Sequence, residues 1–458
     1  MSKQGQTKVT VGVPPRDSGK AAIETALLQK AGDNVEKYRK GEARIQFRTP
    51  AGEPVQGAEI GIVQKTQDFL FGNLIFDLVW TAAPYKPELF KERFLELFNF
   101  AIFPFYWAGY EKTPGMTEWH LSLPALEWCR SNGITPKGHP LVWPYTAGVP
   151  EWLYDVPEGS VEALIEARVT NIVKGFDKYI QIWDVTNEAV NHISWAEATQ
   201  PGFREKYHDV SLWRGIPVAG SFKREIPIQE AADWVDKSFR WAYAANPRAT
   251  LIVNDYNQIV DEGTRQRFYD LVKALQARGT PVSGLGLQAH PVDHWLWPQE
   301  VWDTLEMYAE LNCPLHVTEL HQPAWEHEIE GGWRQGTWSE EAQAGYVEQL
   351  YRLFFGHPAV ASINYWGLSD RQIWIAGGGL VDEEYRPKPV FNALKRLVKE
   401  EWMTPPTTMR TDEDGQVSFR GFFGQYEVVV RQPGRRYPTY RIHLSENEEH
   451  AWVFTLDG

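Results

Sequence analysis

The sequence predicts an α/β fold: a (β/α)8 TIM barrel with a small accessory β-sandwich built from both chain ends. Eight short apolar segments alternate with eight amphipathic stretches through the middle of the chain, the order that packs helices around a parallel sheet. The flanks differ. They alternate with period two and are broken by turn signals. At 458 residues the chain has room for one large domain and one small one.

The strands of the middle region read as DFLFGNLIF (68–76), LFNFAIFPF (97–105), ITPKGHPLVW (134–143), YIQIWDVTN (179–187), ATLIVNDYN (249–257), VSGLGLQAH (282–290), CPLHVTEL (313–320) and AVASINYWG (359–367). The helices read as PELFKERFLELF (87–98), SLPALEWCRSNG (122–133), SVEALIEARVTNIVKGF (160–176), IQEAADWVDKSFRWAYAANP (228–247), DEGTRQRFYDLVKALQARG (261–279), PQEVWDTLEMYAELN (298–312), SEEAQAGYVEQLYRLFFG (339–356) and KPVFNALKRLVKEEW (388–402). Their apolar residues recur at three and four, as one buried helix face requires. Ser160 and Ser339 are placed to cap helix starts, and Gly279 and Gly356 to follow helix ends. Spread over roughly 330 residues, the pattern makes a barrel larger than the usual one, with the excess in long loops.

Residues 42–66 read as two short strands around a turn, and 407–458 as several more. Neither piece is large enough to fold alone, so the two should pair in one sheet or in facing sheets. AGEPVQGAEI (51–60) resembles the opening of a transthyretin-like or carboxypeptidase-regulatory-like sandwich, and TDEDGQVSFRGFFGQYEVVV (411–430) resembles its remainder. The expected division is a helical N-terminal extension (1–36), a discontinuous sandwich (37–67 with 405–458) and the barrel (68–404).

Net charge is −14. That disfavours nucleic acid, whose phosphates need basic patches, and an anionic membrane surface. No apolar run reaches membrane-spanning length. MSKQGQTKVTVGVPP lacks the apolar stretch of a signal peptide, so the protein is expected to stay in the cell or to have lost a leader. Cys129 and Cys313 are too few for a disulfide framework and read as buried free thiols. No cofactor or metal is implied. The 21 Trp residues stand out. Several lie in loops beside Pro, Gly and polar residues, where exposed rings suit the apolar faces of sugars or a protein interface.

In such a barrel the C-terminal strand ends form the site. Here they carry His139, Trp143, Asn187, Glu188, Asp255, Tyr256, Asn257, Gln288, His290, Glu319 and Trp366. Polar residues mark strand ends in general, but that accounts for one or two positions, not a ring. Glu188 closes the fourth strand and Glu319 the seventh, so the two face each other across the mouth. Glycoside hydrolysis needs two carboxyl groups flanking the bond. One is protonated to serve the leaving oxygen, and the other is ionised against the anomeric carbon.

GHPLVW, WDVTNEAV, NDYN, GLGLQAH, VTEL and WGLSD followed by GLVDEEYRPKPVFNAL occur in that order. They resemble the successive strand-end motifs of glycoside hydrolase family 10, the retaining β-1,4-xylanases. The resemblance implies Glu188 as acid/base, Glu319 as nucleophile and Asn187 on the sugar's 2-hydroxyl. It places His139, Gln288 and His290 along the cleaved sugar, with His290 or Gln288 bonding the nucleophile. Trp143, Trp366 and Trp374 would wall that sugar, and Tyr256 would lie toward the leaving-group side. The implied partner is a polysaccharide or oligosaccharide, cleaved by endo-β-1,4-xylanase-like double displacement.

The chain departs from the family at the second strand. The family's Glu-Asn-x-x-Lys-Trp, whose Asn and Lys bind sugar on the non-reducing side, is replaced within IFPFYWAGYE (102–111). Pro104, Phe105 and Ala108 stand near the polar positions. Hydrogen bonds to a second sugar cannot be made the usual way, and Tyr106 or Trp107 is left to stack on a sugar or plug the cleft. Pro144 follows GHPLVW where the family has His, and His321 follows VTEL where it has Asp, which alters the surroundings of Glu319. The substrate should therefore differ from plain xylan: a decorated xylan, another β-linked polysaccharide or an apolar-substituted glycoside. The loop after the fourth strand carries Trp195, Phe203, Tyr207, Trp213 and Phe222, and that after the seventh Trp325, Trp333 and Trp338. These read equally as subsites and as aromatic covering. Rival readings are a metal hydrolase on His316, His321, Glu326 and His327, which lack a metal-ligand spacing, a non-catalytic carbohydrate-binding barrel, and another retaining family with the same carboxylate placement.

Overall fold

The computed structural model describes residues 13–456, apart from 18, 81–83, 146–147, 192–209, 214–215, 220–225, 291–292, 433, 447 and 449. All eight strands expected in the middle region form. They are β1 (Leu70–Leu74), β2 (Phe100–Pro104), β3 (Thr135–His139), β4 (Ile182–Asn187), β5 (Thr250–Asp255), β6 (Gly284–Ala289), β7 (Leu315–Leu320) and β8 (Val360–Tyr365). Each pairs in parallel with the next, and β8 pairs with β1, which closes the barrel. Helices cover the sheet, so β6 and β7 are buried at every position. That is why β6, GLGLQA, reads as a near-continuous apolar run.

The helices follow from their apolar faces. In Ile228–Ala245 the buried residues include Ala231, Val235, Ser238, Phe239 and Ala242, one stripe at helical spacing. Ser339 caps Glu340–Gly356 by accepting from the Ala342 amide. Gly279, at φ 66°, follows Glu262–Ala277. Two expected caps differ. Helix Glu158–Gly175 begins after Pro157, so Ser160 lies inside it. Gly356 is the last helical residue, and a Cβ there would meet Ala31 at 2.5–2.6 Å. It is glycine because another helix crosses it closely.

That crossing helix is Lys20–Tyr38, which packs on the barrel through Leu27, Ala31 and Val35. Its Glu24 forms a buried ion pair with Arg334 at 2.5 Å. No helix among the described residues is long and apolar enough to cross a membrane. Cys129 is a buried free thiol and Cys313 a partly buried one.

The flanks form two sheets. Lys40–Arg48 pairs antiparallel with Gln416–Phe422 and parallel with Ala451–Thr455. Glu59–Gln64 lies antiparallel between Thr407–Arg410 and Gly424–Gln432, and the latter also pairs with Tyr440–Leu444. Ile45, Phe47, Ile60, Ile62, Tyr426, Val428 and Leu444 make a core separate from that of the barrel. Both sheets draw strands from both chain ends, because each alternating strand offers one apolar face that needs a partner.

Candidate active site

Two buried carboxyl groups, Glu188 and Glu319, stand at the C-terminal end of the barrel. Glu188 follows β4 at φ 63°, a left-handed conformation that costs a non-glycine residue of order 1–3 kcal/mol. Its backbone N–H donates to the carbonyl of Asn254 at 2.7 Å, which secures the turn. The Glu188 carboxylate accepts from Trp143 Nε1 at 2.8 Å and Gln288 Nε2 at 3.1 Å. Glu319, within β7, accepts from Asn254 Nδ2 at 2.9 Å, and His290 Nε2 lies 3.1 Å from its other oxygen. Of the two residues proposed to bond Glu319, His290 is beside it, and Gln288 holds Glu188 instead.

A chain of amides joins the two carboxyl groups. Gln288 Nε2 also reaches Asn187 Oδ1 at 3.3 Å. That oxygen accepts from Asn254 Nδ2 at 2.8 Å, the same nitrogen that holds Glu319. Thr318 donates to Asn254 Oδ1 at 2.6 Å and fixes which way the amide points. With its oxygen occupied, Asn187 has its N–H groups to offer a ligand. Gly286 makes room for this chain, since a Cβ there would meet Asn254 Oδ1 at 2.4 Å.

Beneath the pair, Asp184 Oδ2 forms an ion pair with Lys137 Nζ at 2.6 Å and lies 2.7 Å from His139 Nδ1, all three residues being buried. Burial alone would raise the Asp184 carboxyl. The Lys137 charge and the His139 hydrogen bond outweigh it and hold the carboxyl below its usual value. The Nδ1 contact directs His139 Nε2 toward Glu319, 3.9 Å away. At Glu319 the balance reverses. Burial raises its carboxyl to about 7, His139 opposes the rise, and the charge of Glu188 adds to it. Burial lowers His290 to about 3, so it is neutral near pH 7.

The remaining expected residues surround the pair. Trp366 meets His139 and His290 edge-on, at 5.1 and 6.3 Å between ring centres. Trp374 stands 4.9 Å from His290. Trp143 stacks on Tyr145. The Tyr256 phenol is raised by burial and then by the charge of Glu188, on whose side it lies.

Asn254, Asp184 and Lys137 hold the site although the sequence did not single them out. Asp184 and Asn187 are three apart, so strict alternation would put them on opposite faces. A register shift of β4 against β5, between Asp184 and Thr186, lets both side chains reach inward partners. An ionisable Lys137 at the centre of the strand Thr135–His139 was the available signal.

The end of β2 corrects the sequence reading. Phe105 is fully buried against Phe176, Trp183 and Tyr110, and so belongs to the core. Trp107 packs on Trp152 and donates Nε1 to Glu111 at 2.8 Å. Tyr106 is the residue that faces the mouth, 5.5 Å from His139 and 5.6 Å from Trp143 between ring centres. In the seventh loop Trp333 and Trp338 are buried, Trp338 stacked on Trp295, so they cover the barrel. Trp195, Phe203, Tyr207, Phe222 and the side chain of Trp213 lie outside the described residues. His316 is bonded to Ser362 and His321 to the Trp366 carbonyl. Among the described residues no group of His, Cys, Asp and Glu is arranged to hold a metal.

Residues 105–397, well over half of the chain, match the family model of glycosyl hydrolase family 10. The chain belongs to that family. It is 25% identical over 440 residues to the anti-sigma-I factor RsgI6 of Acetivibrio thermocellus, covering 94% of this chain and 50% of that protein. It is also 25% identical over 445 residues to endo-1,4-beta-xylanase 1 of Arabidopsis thaliana, covering 94% of this chain and 40% of that one. The chain thus spans half or less of the length of these relatives. A solved structure titled a psychrophilic glycoside hydrolase family 10 endo-beta-1,4-xylanase superposes with a TM-score of 0.55 at 25% identity, covering 71% of this chain and 96% of that one. The family 10 match begins at Phe105, so the divergent end of β2 sits at its very edge.

Proposed function

We propose that this family 10 chain is a retaining, endo-β-1,4-xylanase-like glycoside hydrolase, with Glu319 as nucleophile and Glu188 as acid/base. One observation carries the reading: two buried carboxyl groups on facing strand ends, each held by its own donors and joined through shared amides. In the first step Glu188 gives its proton to the leaving oxygen while Glu319 attacks the anomeric carbon, forming a glycosyl ester. In the second, ionised Glu188 takes a proton from the water that attacks the same carbon. The sugar leaves with its configuration retained and both groups return to their starting states. Burial favours the protonated form of Glu319, and His139, backed by Asp184, opposes it; the first step requires Glu319 ionised and Glu188 protonated.

Asn254 and His290 steady the nucleophile, and Trp143 and Gln288 steady the acid/base. The N–H groups of Asn187 are assigned to the 2-hydroxyl. His139, Trp366 and Trp374 line the cleaved sugar, and Tyr256 lies on the leaving-group side. The Arabidopsis relative and the superposed xylanase support a β-1,4-linked, xylan-type backbone as substrate. The test is a panel of xylans, β-glucans and aryl β-glycosides run with Glu188→Ala. The variant should lose about 10²–10⁴-fold on polysaccharide and far less on aryl glycosides whose leaving groups need little protonation. Equal loss on all substrates would remove Glu188 from the acid/base role.

A further inference from the structure

The mouth has two unlike flanks. From β3 to β7 the strand ends supply carboxyl, amide and imidazole groups. Where β1 and β2 end, the groups are aromatic. The short helix Phe76–Val79 follows β1, and Trp80 ends it. Phe76 and Trp80 lie 4.6 Å apart between ring centres, and Trp80 and Tyr106 5.5 Å. Phe76 also meets Tyr106 and Trp366 edge-on at 5.9 Å each. The rings brace one another from the cleaved-sugar wall at Trp366 out to Trp80. Both neighbours of Trp80 contact it at steep angles, 50° and 61°, and it remains 51% exposed. Trp80 is thus the outermost member of a continuous aromatic cluster that runs into the site, unlike an isolated surface ring.

Glu188 follows β4 and Tyr256 follows β5. An acid that serves the leaving oxygen puts the leaving sugar on that side. The sugar preceding the cleaved one then lies across the mouth, over the ends of β1 and β2. Of residues 104–108 only Tyr106 brings a polar group to the mouth: Phe105 is core, Trp107 already donates to Glu111, and Pro104 and Ala108 have no polar side chain. We propose that Trp80, braced by Phe76 and Tyr106, is the stacking platform for the sugar on the non-reducing side of the cut. The inference rests on the glycosidase reading. A site of fixed donors discriminates between sugars by large factors, because a missing partner leaves a buried polar group unpaired. A flat ring reads only the apolar face of the sugar. This subsite therefore takes xylose- and glucose-configured rings alike, and tolerates substituents on the ring edge.

The experiment compares kcat/KM for aryl β-xyloside with aryl β-xylobioside, and for aryl β-glucoside with aryl β-cellobioside. In the wild type, the second sugar should raise kcat/KM by about three- to tenfold in both series. Trp80→Ala should bring the ratio of two-sugar to one-sugar substrate to about one in both series, chiefly through KM, and Trp80→Phe should keep most of the gain. Absence of a gain, a gain confined to one series, or a gain that survives in Trp80→Ala overturns the proposal. So does a gain erased by Asp77→Asn, the one carboxyl group on the short helix, because the subsite would then be hydrogen-bonded. If no aryl glycoside is turned over, the hydrolase reading itself fails. Tryptophan-fluorescence titrations with xylobiose and cellobiose then decide the platform separately. Binding of both sugars, lost in Trp80→Ala, supports it. Absence of binding, binding of one sugar only, or binding that survives the variant overturns it.

Discussion

The polar and aromatic flanks of the barrel mouth are built on different principles. On the polar flank each group is held by another: Asp184 by Lys137, His139 by Asp184, Glu319 by Asn254 and His290, Glu188 by Trp143 and Gln288. Changing one member leaves a buried partner unsatisfied, which costs about 1–3 kcal/mol for a neutral group and more for a charge. On the aromatic flank Phe76, Trp80 and Tyr106 are held by ring contacts, which tolerate substitution of one apolar shape for another. Under the proposed function, the chemistry and the recognition of the neighbouring sugar sit on halves that can change separately. The larger departure from family 10, at the end of β2, falls on the permissive half.

The largest expected effect breaks the polar flank at its centre. Glu319→Ala should reduce turnover by about 10⁴-fold or more on every substrate, activated aryl glycosides included, because no other group replaces a nucleophile. An unchanged circular dichroism spectrum would separate this from unfolding. Next comes Asp184→Asn, which leaves the Lys137 cation buried without its anion. The expected cost is about 3–5 kcal/mol, read by chemical denaturation. A loss below about 1 kcal/mol would show that the network is not holding the flank.

The two buried carboxyl groups also differ in how they couple stability to pH. Asp184 is held below its usual value. Its contribution is complete above the unfolded value near 3.9, roughly, and is lost only as pH falls through the lower folded value. Glu319 is raised to about 7. Below its unfolded value, about 4.3, it is protonated in both states and neutral in effect. From there to about 7 the folded state binds more protons, so stability falls as pH rises, then levels off. Glu319→Gln removes that term. Its Tm relative to the wild type should climb between about pH 4 and 7 and stay level above. A difference independent of pH would mean that Glu319 is not desolvated as described.

Much of this molecule was legible from local pattern. The eight barrel strands, Glu188 and Glu319 follow from apolar periodicity and from the rule that barrel sites lie at C-terminal strand ends. What escaped depends on register and on distant contacts. Asp184 escaped because a shift within β4 breaks the alternation. Phe105 and Tyr106 are adjacent aromatics, and a one-residue difference decides which faces the mouth. Trp333 and Trp338 read as loop aromatics until Arg334 is seen paired to Glu24 of the N-terminal helix. No local window holds both halves of that contact.

The smallest expected effect probes the border between the flanks. Tyr106 touches both: its ring braces Trp80 and Phe76, and also meets His139 and Trp143. Burial, then the charges of Glu319 and Glu188, push its phenol well above the usual value. The hydroxyl therefore keeps its proton throughout the neutral range. Tyr106→Phe removes that hydroxyl and leaves the ring. If the flanks are separable, the variant keeps the second-sugar gain and loses no more than about tenfold in kcat, the worth of one hydrogen bond of ordinary strength. A fall in kcat beyond about a hundredfold, with KM unchanged, would place the hydroxyl in the transition state. The aromatic flank would then share the chemistry, and the replacement of the polar residues of β2 would be a change of mechanism as well as of recognition.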